Sequence, residues 1–168
     1  GAWYPPITTD IQALNGQSNL VAQLGQFNPN TSEQRLFGNL QVEVFYSTSS
    51  DQKPPDITVI DGLYFTDTNH VDVKVGATDE SGIKEVIVSY FKNGQQATDG
   101  VETTQLQFDA SSQKWKGSFP GNAASVFYVH VVDKAGNMTT ATNKGQYYAP
   151  AAASIANLTQ IFLPLVRR

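Results

Sequence analysis

V-F-Y-V-H-V-V-D-K-A-G-N, from Val126 to Asn137, decides how the chain is read. Its first seven residues alternate with period 2. Phe127, Val129 and Val131 share one face, and Tyr128 and His130 share the other. The run then enters a compact Asp-Lys-Ala-Gly-Asn hairpin turn. A partner stretch lies upstream: T-D-E-S-G-I-K-E-V-I-V-S-Y, Thr78 to Tyr90, where an acidic, Gly-containing turn leads into a β-branched strand. Working outward from these two, the region from Pro54 to Tyr148 reads as seven short strands. They are Ile57–Ile60, His70–Ala77, Ile83–Phe91, Thr103–Phe108, Lys114–Phe119, Val126–Val132 and Met138–Asn143, the last extending toward Tyr148. Asn93-Gly94 and the polar Ala110-Ser111-Ser112-Gln113 supply turns between them.

Seven strands at roughly 8–12-residue spacing with no helical period predict an antiparallel β-sandwich. Val71, Val73, Val75 and Ala77 fall on one side of their strand, with Asp72 and Lys74 on the other. Trp115, Tyr90, Phe91, Phe108, Phe119 and Phe127 supply core bulk. No Cys…Trp…Cys pattern is present, which excludes an antibody-type domain.

D-E-S-G-I-K-E-V-I-V-S-Y, then W-K-G-S-F, then F-Y-V-H-V-V-D-K-A-G-N, in this order, resembles the immunoglobulin-like or fibronectin-III-like modules of large secreted bacterial proteins. N-K-G-Q-Y-Y (Asn143 to Tyr148) and the terminal I-F-L-P-L-V-R-R are similar to the C-terminal ends of such proteins. The resemblance covers about Pro54 to Arg168. It implies an all-β, seven-stranded Ig-like sandwich at the cell surface or outside the cell, with a spacer, adhesion or assembly role. It carries no catalytic residues.

The two ends differ from this middle. Residues 1–50 read as a small β subdomain with an incomplete sheet. Ile7–Leu14 and Leu20–Phe27 are candidate strands around Asn15-Gly16, with a short helix over Asn19–Phe27 as the alternative. Leu40–Tyr46 alternates as a further strand. Ser47–Pro55 is a linker into the sandwich domain, residues 51–148. Residues 149–168 form a small-residue linker and an apolar strand, with Ile161, Leu163 and Leu165 on one side and Phe162 and Val166 on the other. An exposed strand of this kind invites pairing with another chain. It is the candidate assembly strand, so self-association is expected.

Composition narrows the chemistry. Only 15% of the 168 residues are charged and the net charge is −4, without the basic stripe that nucleic acid requires. With no cysteine there is no disulfide framework, thiolate zinc site or Cys nucleophile. No apolar run approaches the ~20 residues of a membrane-spanning helix. His70 and His130, the only histidines, both read as outward-facing strand residues without a nucleophile and carboxylate in sequence. No Walker loop, dinucleotide fingerprint or G-x-S-x-G elbow occurs.

Calcium remains open. The loops after the second and sixth strands belong at one end of the sandwich, where the first strand begins. This brings Asp56, Asp79, Glu80, Asp133 and Asn137 together beside the Ser47–Pro55 linker. Asp79, Asp133 and Asn137 suit Ca²⁺ as hard oxygen ligands. The same residues also suit plain turn formation, with Gly82 and Gly136 at positive φ, and the EF-hand spacing is absent. N-x-S/T sequons begin at Asn30, Asn137 and Asn157. Two functions emerge. One is a non-enzymatic extracellular module of a surface or filament assembly, acting by β-strand pairing between subunits. The other is a C-terminal accessory module of a secreted hydrolase, serving as spacer, sorting signal or glycan contact.

Overall fold

The computed structural model describes residues 3–5, 9–14, 17–40, 42–45, 48–94 and 100–153. The chain is all-β, and among the described residues there is no helix. Among the described residues no helix is long and apolar enough to cross a membrane. Four strands precede the main body: β1 (Thr9–Leu14), β2 (Gln17–Ala22), β3 (Gly25–Asn28) and β4 (Glu33–Leu36). They form two separate antiparallel hairpins, β1–β2 and β3–β4.

The main body contains β5 (Asp56–Phe65), β6 (His70–Thr78), β7 (Ile83–Phe91), β8 (Glu102–Gln105), β9 (Gln107–Asp109), β10 (Lys114–Pro120), β11 (Val126–Asp133), β12 (Met138–Ala141) and β13 (Ala151–Ala152). They build a five-stranded sheet, β13-β5-β6-β10-β9, and a four-stranded sheet, β12-β11-β7-β8. All pairings are antiparallel except β13 with β5.

One apolar core lies between the two sheets. β6 contributes Val71, Val73 and Val75, β7 contributes Val86, Val88 and Tyr90, and β11 contributes Phe127, Val129 and Val131. Tyr90 stacks on Phe119 of the opposite sheet at 4.1 Å between centroids, and Phe119 meets Phe127 edge-on at 6.0 Å. Full burial of each such side chain contributes roughly 1.5–3 kcal/mol, so this alternation dominates the fold. Gly62 is required on β5, because a Cβ there would sit 2.7 Å from the Phe127 ring.

The segments expected as seven strands recur, whole or in part, among the nine strands β5–β13, with three differences of note. The predicted strand Thr103–Phe108 is two pieces, β8 and β9. Its break at Leu106 drops that side chain fully into the core while the backbone N–H bonds Val86 O at 2.9 Å. One chain segment thereby serves both sheets. Second, Ala149–Ala153, expected as linker, includes a two-residue parallel strand beside Leu63 and Tyr64, closed by Ala153 N–H to Tyr64 O at 2.8 Å. Third, the outer face of the four-stranded sheet is not a bare surface. Ser89, Phe91 and Val132 point that way and are buried.

The N-terminal region departs further from its sequence pattern. The strand expected over Leu20–Phe27 breaks at Gln23 and Leu24 into β2 and β3, and no helix forms there. Leu40–Tyr46 was expected to be a strand, yet Leu40 and residues 42–45 are not in one. Alternation gives a strand only where a partner edge is available, and here Phe45 lies under the Lys84 ammonium at 5.0 Å from its ring instead. The apolar strand expected over Asn157–Val166, including Ile161, Phe162, Leu163, Leu165 and Val166, lies outside the described residues.

The β3–β4 hairpin gains a third member through Tyr4, which exchanges two 2.8 Å backbone bonds with Phe27. The resulting mini-sheet packs on the outer face of the four-stranded sheet. There the Arg35 guanidinium lies 4.4 Å from the Trp3 ring and 5.5 Å from the Phe91 ring. Its buried side carries Trp3, Gln26 and Asn28, at 5%, 5% and 0% exposed. Its outward side carries Tyr4, Phe27 and Leu36, at 71%, 41% and 83%.

Candidate metal centre

Three loops meet where β5 begins. The first is the β6–β7 turn. Asp79 Oδ1 accepts from both the backbone N–H and the hydroxyl of Ser81 at 2.7 Å, and Gly82 adopts φ +85°. The second is the β11–β12 turn. Asp133 Oδ1 accepts from the Asn137 backbone N–H at 2.8 Å, and Gly136 sits at φ +88°. Lys134 N–H bonds Gly82 O at 2.8 Å and ties these turns together. The third is the linker, where Asp51 Oδ1 accepts from Lys53 N–H at 2.9 Å. Asx-type turn chemistry thus forms each loop, and the sheet register brings them to one point.

At that point, carboxylate oxygens of Asp51, Asp79 and Asp133 all lie within 4.8 Å of one another. Asp133 is fully buried and the other two are half-buried. Two like charges at that spacing repel by about 3 kcal/mol at an effective dielectric of ~20, so a nearby cation is favoured. Hydrogen bonds from the Ser81 side chain hold the Asp79 carboxyl below its usual range, aided by the Ser81 and Glu80 backbones and the Lys53 charge. It is therefore ionised and ready to ligate.

The Asn137 side-chain amide completes the surroundings. Its Nδ2 lies 2.9 Å from Asp133 Oδ2, 3.1 Å from Asp51 O and 3.2 Å from Lys53 O. An NH₂ group has two hydrogens, so three acceptors oversubscribe it. The donor set is all hard oxygen, with carboxylates and backbone carbonyls from three loops. This suits Ca²⁺, which takes 6–8 such ligands, better than the strict octahedron of Mg²⁺.

The structure brings the expected Asp79, Asp133 and Asn137 together. Asp56 and Glu80, expected beside them, are not in the carboxylate cluster, and Asp56 pairs with Lys53 at 3.7 Å instead. Asp51 was missed. Its signal was available, since it is the only acid in the Ser47–Pro55 linker already placed at this end.

The histidines divide. His130, expected at the surface, is instead largely buried. Its ring nitrogens sit 3.1 Å from Ser89 Oγ and 2.9 Å from Thr140 Oγ1, and burial pushes its pKa down to about 4. Period-2 parity placed it on the outer face correctly but said nothing of what covers that face. His70 is part-exposed, as expected, yet lies between the Thr68 hydroxyl and the Asp72 carboxylate, 3.1 Å from the latter. This hydroxyl–imidazole–carboxylate chain escaped sequence reading because it sits at i, i+2 and i+4 across a turn into a strand. A shallow depression of about 800 Å³ on the outer face of the five-stranded sheet includes Asp72 but not Thr68. The hydroxyl that a nucleophilic role would use therefore does not face it.

Comparisons with protein-family models, with curated proteins and with solved structures find no match to this chain.

Proposed function

We propose that this chain is a non-enzymatic extracellular structural module, an Ig-like sandwich that joins a larger assembly by β-strand pairing between subunits. One observation carries this reading. The linker meets the sandwich at the Asp79–Asp133 end, where β5 starts, whereas β13 leaves at the other end, beside Leu63 and Tyr64. Opposite points of arrival and departure suit a unit placed in series. The candidate assembly strand, Ile161 to Val166, comes after β13 in the sequence.

On this reading Ca²⁺ at Asp51, Asp79 and Asp133, with the Asn137 amide turned to offer its oxygen, fastens the linker to the sandwich. Adding millimolar Ca²⁺ after EDTA treatment raises the melting temperature, by linkage worth about 2.7 kcal/mol at a hundredfold excess over Kd. Asp51→Asn reduces that response. An identical melt in EDTA and calcium returns these residues to turn formation alone.

The accessory-module reading is supported by a different feature, the depression lined by Asp61, Lys74, Lys116 and Ser118, where polar side chains suit a glycan. Sedimentation of the purified chain across the micromolar range separates the readings. Concentration-dependent polymers support the assembly module. A monomer that shifts on an oligosaccharide array supports the accessory one.

A further inference from the structure

We propose that the depression on the outer face of the five-stranded sheet binds an acidic sugar, a uronic-acid residue of a polysaccharide, with the sugar carboxylate held between Lys74 and Lys116. This rests on the glycan-contact reading of that depression and names its ligand. It is independent of assembly by strand pairing.

The sheet register carries the inference. β5, β6 and β10 lie side by side, and Asp61, Lys74 and Lys116 form one row across them. Val73 and Val75 of β6 and Phe119 of β10, at the alternate positions, are in the core, so this row stands on the outer face. Lys74 and Lys116 are direct partners across an antiparallel ladder, where like charges disfavour each other. Their counter-ions do not lie between them. Lys74 Nζ reaches Asp61 Oδ2 on β5 at 2.9 Å, and Lys116 Nζ reaches Asp109 Oδ2 on β9 at 2.5 Å. Both carboxylates therefore flank the pair, and the two ammonium groups stand on either side of the boundary between β6 and β10. An ammonium has three hydrogens, so one ion pair leaves each lysine two to donate. A local conflict of this kind marks a functional position. A negative group of a ligand at the boundary resolves it.

The neighbouring row selects what that ligand is. Two residues along, Leu63, Asp72 and Ser118 form the next row, and all three line the depression. The Asp72 carboxylate accepts from His70 at 3.1 Å and keeps lone pairs for ligand hydroxyls. The Ser118 hydroxyl both donates and accepts. Leu63 is 44% exposed and offers apolar surface to the C–H face of a sugar ring. Ala149 and Ala151 also line the space and add no bulk. Its volume of about 800 Å³ suits a ligand of one to a few rings. A neutral sugar would leave the two lysines opposed. A bare anion would leave Asp72 facing it. A ring that carries one carboxylate among hydroxyls satisfies both rows. Lys74 and Lys116 are each 45% exposed, so the contact is screened by salt and a single sugar binds weakly.

The test is calorimetric titration of the full-length chain with three probes: a galacturonic-acid oligomer, the matching neutral galactose oligomer, and acetate. The acidic oligomer binds on the order of tenfold more tightly than either other probe, and its affinity falls with salt. Lys74→Met and Lys116→Met each weaken it by about tenfold at an unchanged melting temperature, because both side chains are half-exposed. Lys116→Gln repeats the measurement should Lys116→Met fail to fold. Lys84→Met, which removes a lysine of β7 on the other sheet, leaves binding as it was. If the neutral oligomer binds as tightly and the Lys74 and Lys116 variants match wild type, the acidic-sugar assignment falls and the glycan-contact reading stands. If acetate binds as tightly as the acidic oligomer, the site is a plain anion site and the sugar assignment falls. If Lys84→Met weakens binding as much as the other two, the attraction is diffuse charge and the site is wrong. If neither oligomer binds, this inference and the glycan-contact reading fall together, and the assembly reading is untouched.

Discussion

In the sandwich, β11 turns Phe127, Val129 and Val131 into the core and gives its outer face to Tyr128 and His130. In the N-terminal mini-sheet, the inward face holds Gln26, Asn28 and Arg35, and the aromatic and aliphatic residues point away. The first arrangement is held by apolar area, which is large and non-directional. The second is held by a few oriented contacts: a guanidinium among rings, the Gln26 amide bonded to Arg35 on one side and to Pro5 O at 2.5 Å on the other. Among the described residues it also leaves Trp3 Nε1 and Asn28 Nδ2 buried without a hydrogen-bond partner. Each such donor costs about 1–3 kcal/mol. One region is therefore strongly stabilised and indifferent to detail. The other is weakly held and specific.

The comparison breaks most visibly at Val129. Val129→Asp buries an unpaired carboxylate between the sheets and costs several kcal/mol, enough to unfold the sandwich. A variant that melts with the wild type would mean the core is not where the two sheets place it.

The outer face of the four-stranded sheet responds to pH, because His130 lies there among Ser89, Thr140 and Tyr128. His130 is neutral in the folded chain, with its pKa near 4 against about 6.5 when unfolded. Between these values the unfolded state binds the extra proton. Stability is complete above pH ~6.5 and falls as pH drops toward ~4, by about 3 kcal/mol in all. Carboxylates held low by hydrogen bonds, Asp79 through Ser81 and Glu102 through Lys92, add their losses at lower pH. Urea midpoints at successive pH values should show the first decline in wild type and not in His130→Asn. Equal declines in both would remove His130 as the cause.

The smallest effect tests whether the two regions come apart separately. Arg35→Met keeps a long apolar stem but loses the guanidinium, at about 1–2 kcal/mol. Trp3 fluorescence should then shift to the red at a urea concentration where the β-sheet circular dichroism is unchanged. Loss of both signals together would show one cooperative unit instead.

What was legible in the sequence follows the same division. Val71, Val73 and Val75, or Phe127, Val129 and Val131, announce their strands because period-2 burial writes itself into alternating residue types. The meeting of Asp79, Asp133 and Asn137 was legible too, since antiparallel order alone sets which loops share an end. Leu40–Tyr46 carries the same alternation as a true strand, yet its described residues are not in one, because sequence cannot say whether an edge is free to pair with it. The contacts of Arg35 depend on one region lying upon another, and the burial of His130 on what its own sheet packs around it. No local pattern encodes that. Asp51 falls between the two cases: it lies in a polar, Pro-ended stretch whose pattern marks a linker and carries no ligand spacing.

The parallel pairing of β13 with β5 has a mechanical consequence. Pulling the chain at residue 55 draws β5 toward its beginning, and pulling at residue 153 draws β13 toward its end. The two strands run the same way, so these forces slide them past each other. Their hydrogen bonds, with the Ala153 clasp on Tyr64, are loaded together and across their length. An unzipping geometry would instead break them one at a time. Tension along the chain thus loads this strand pair in shear.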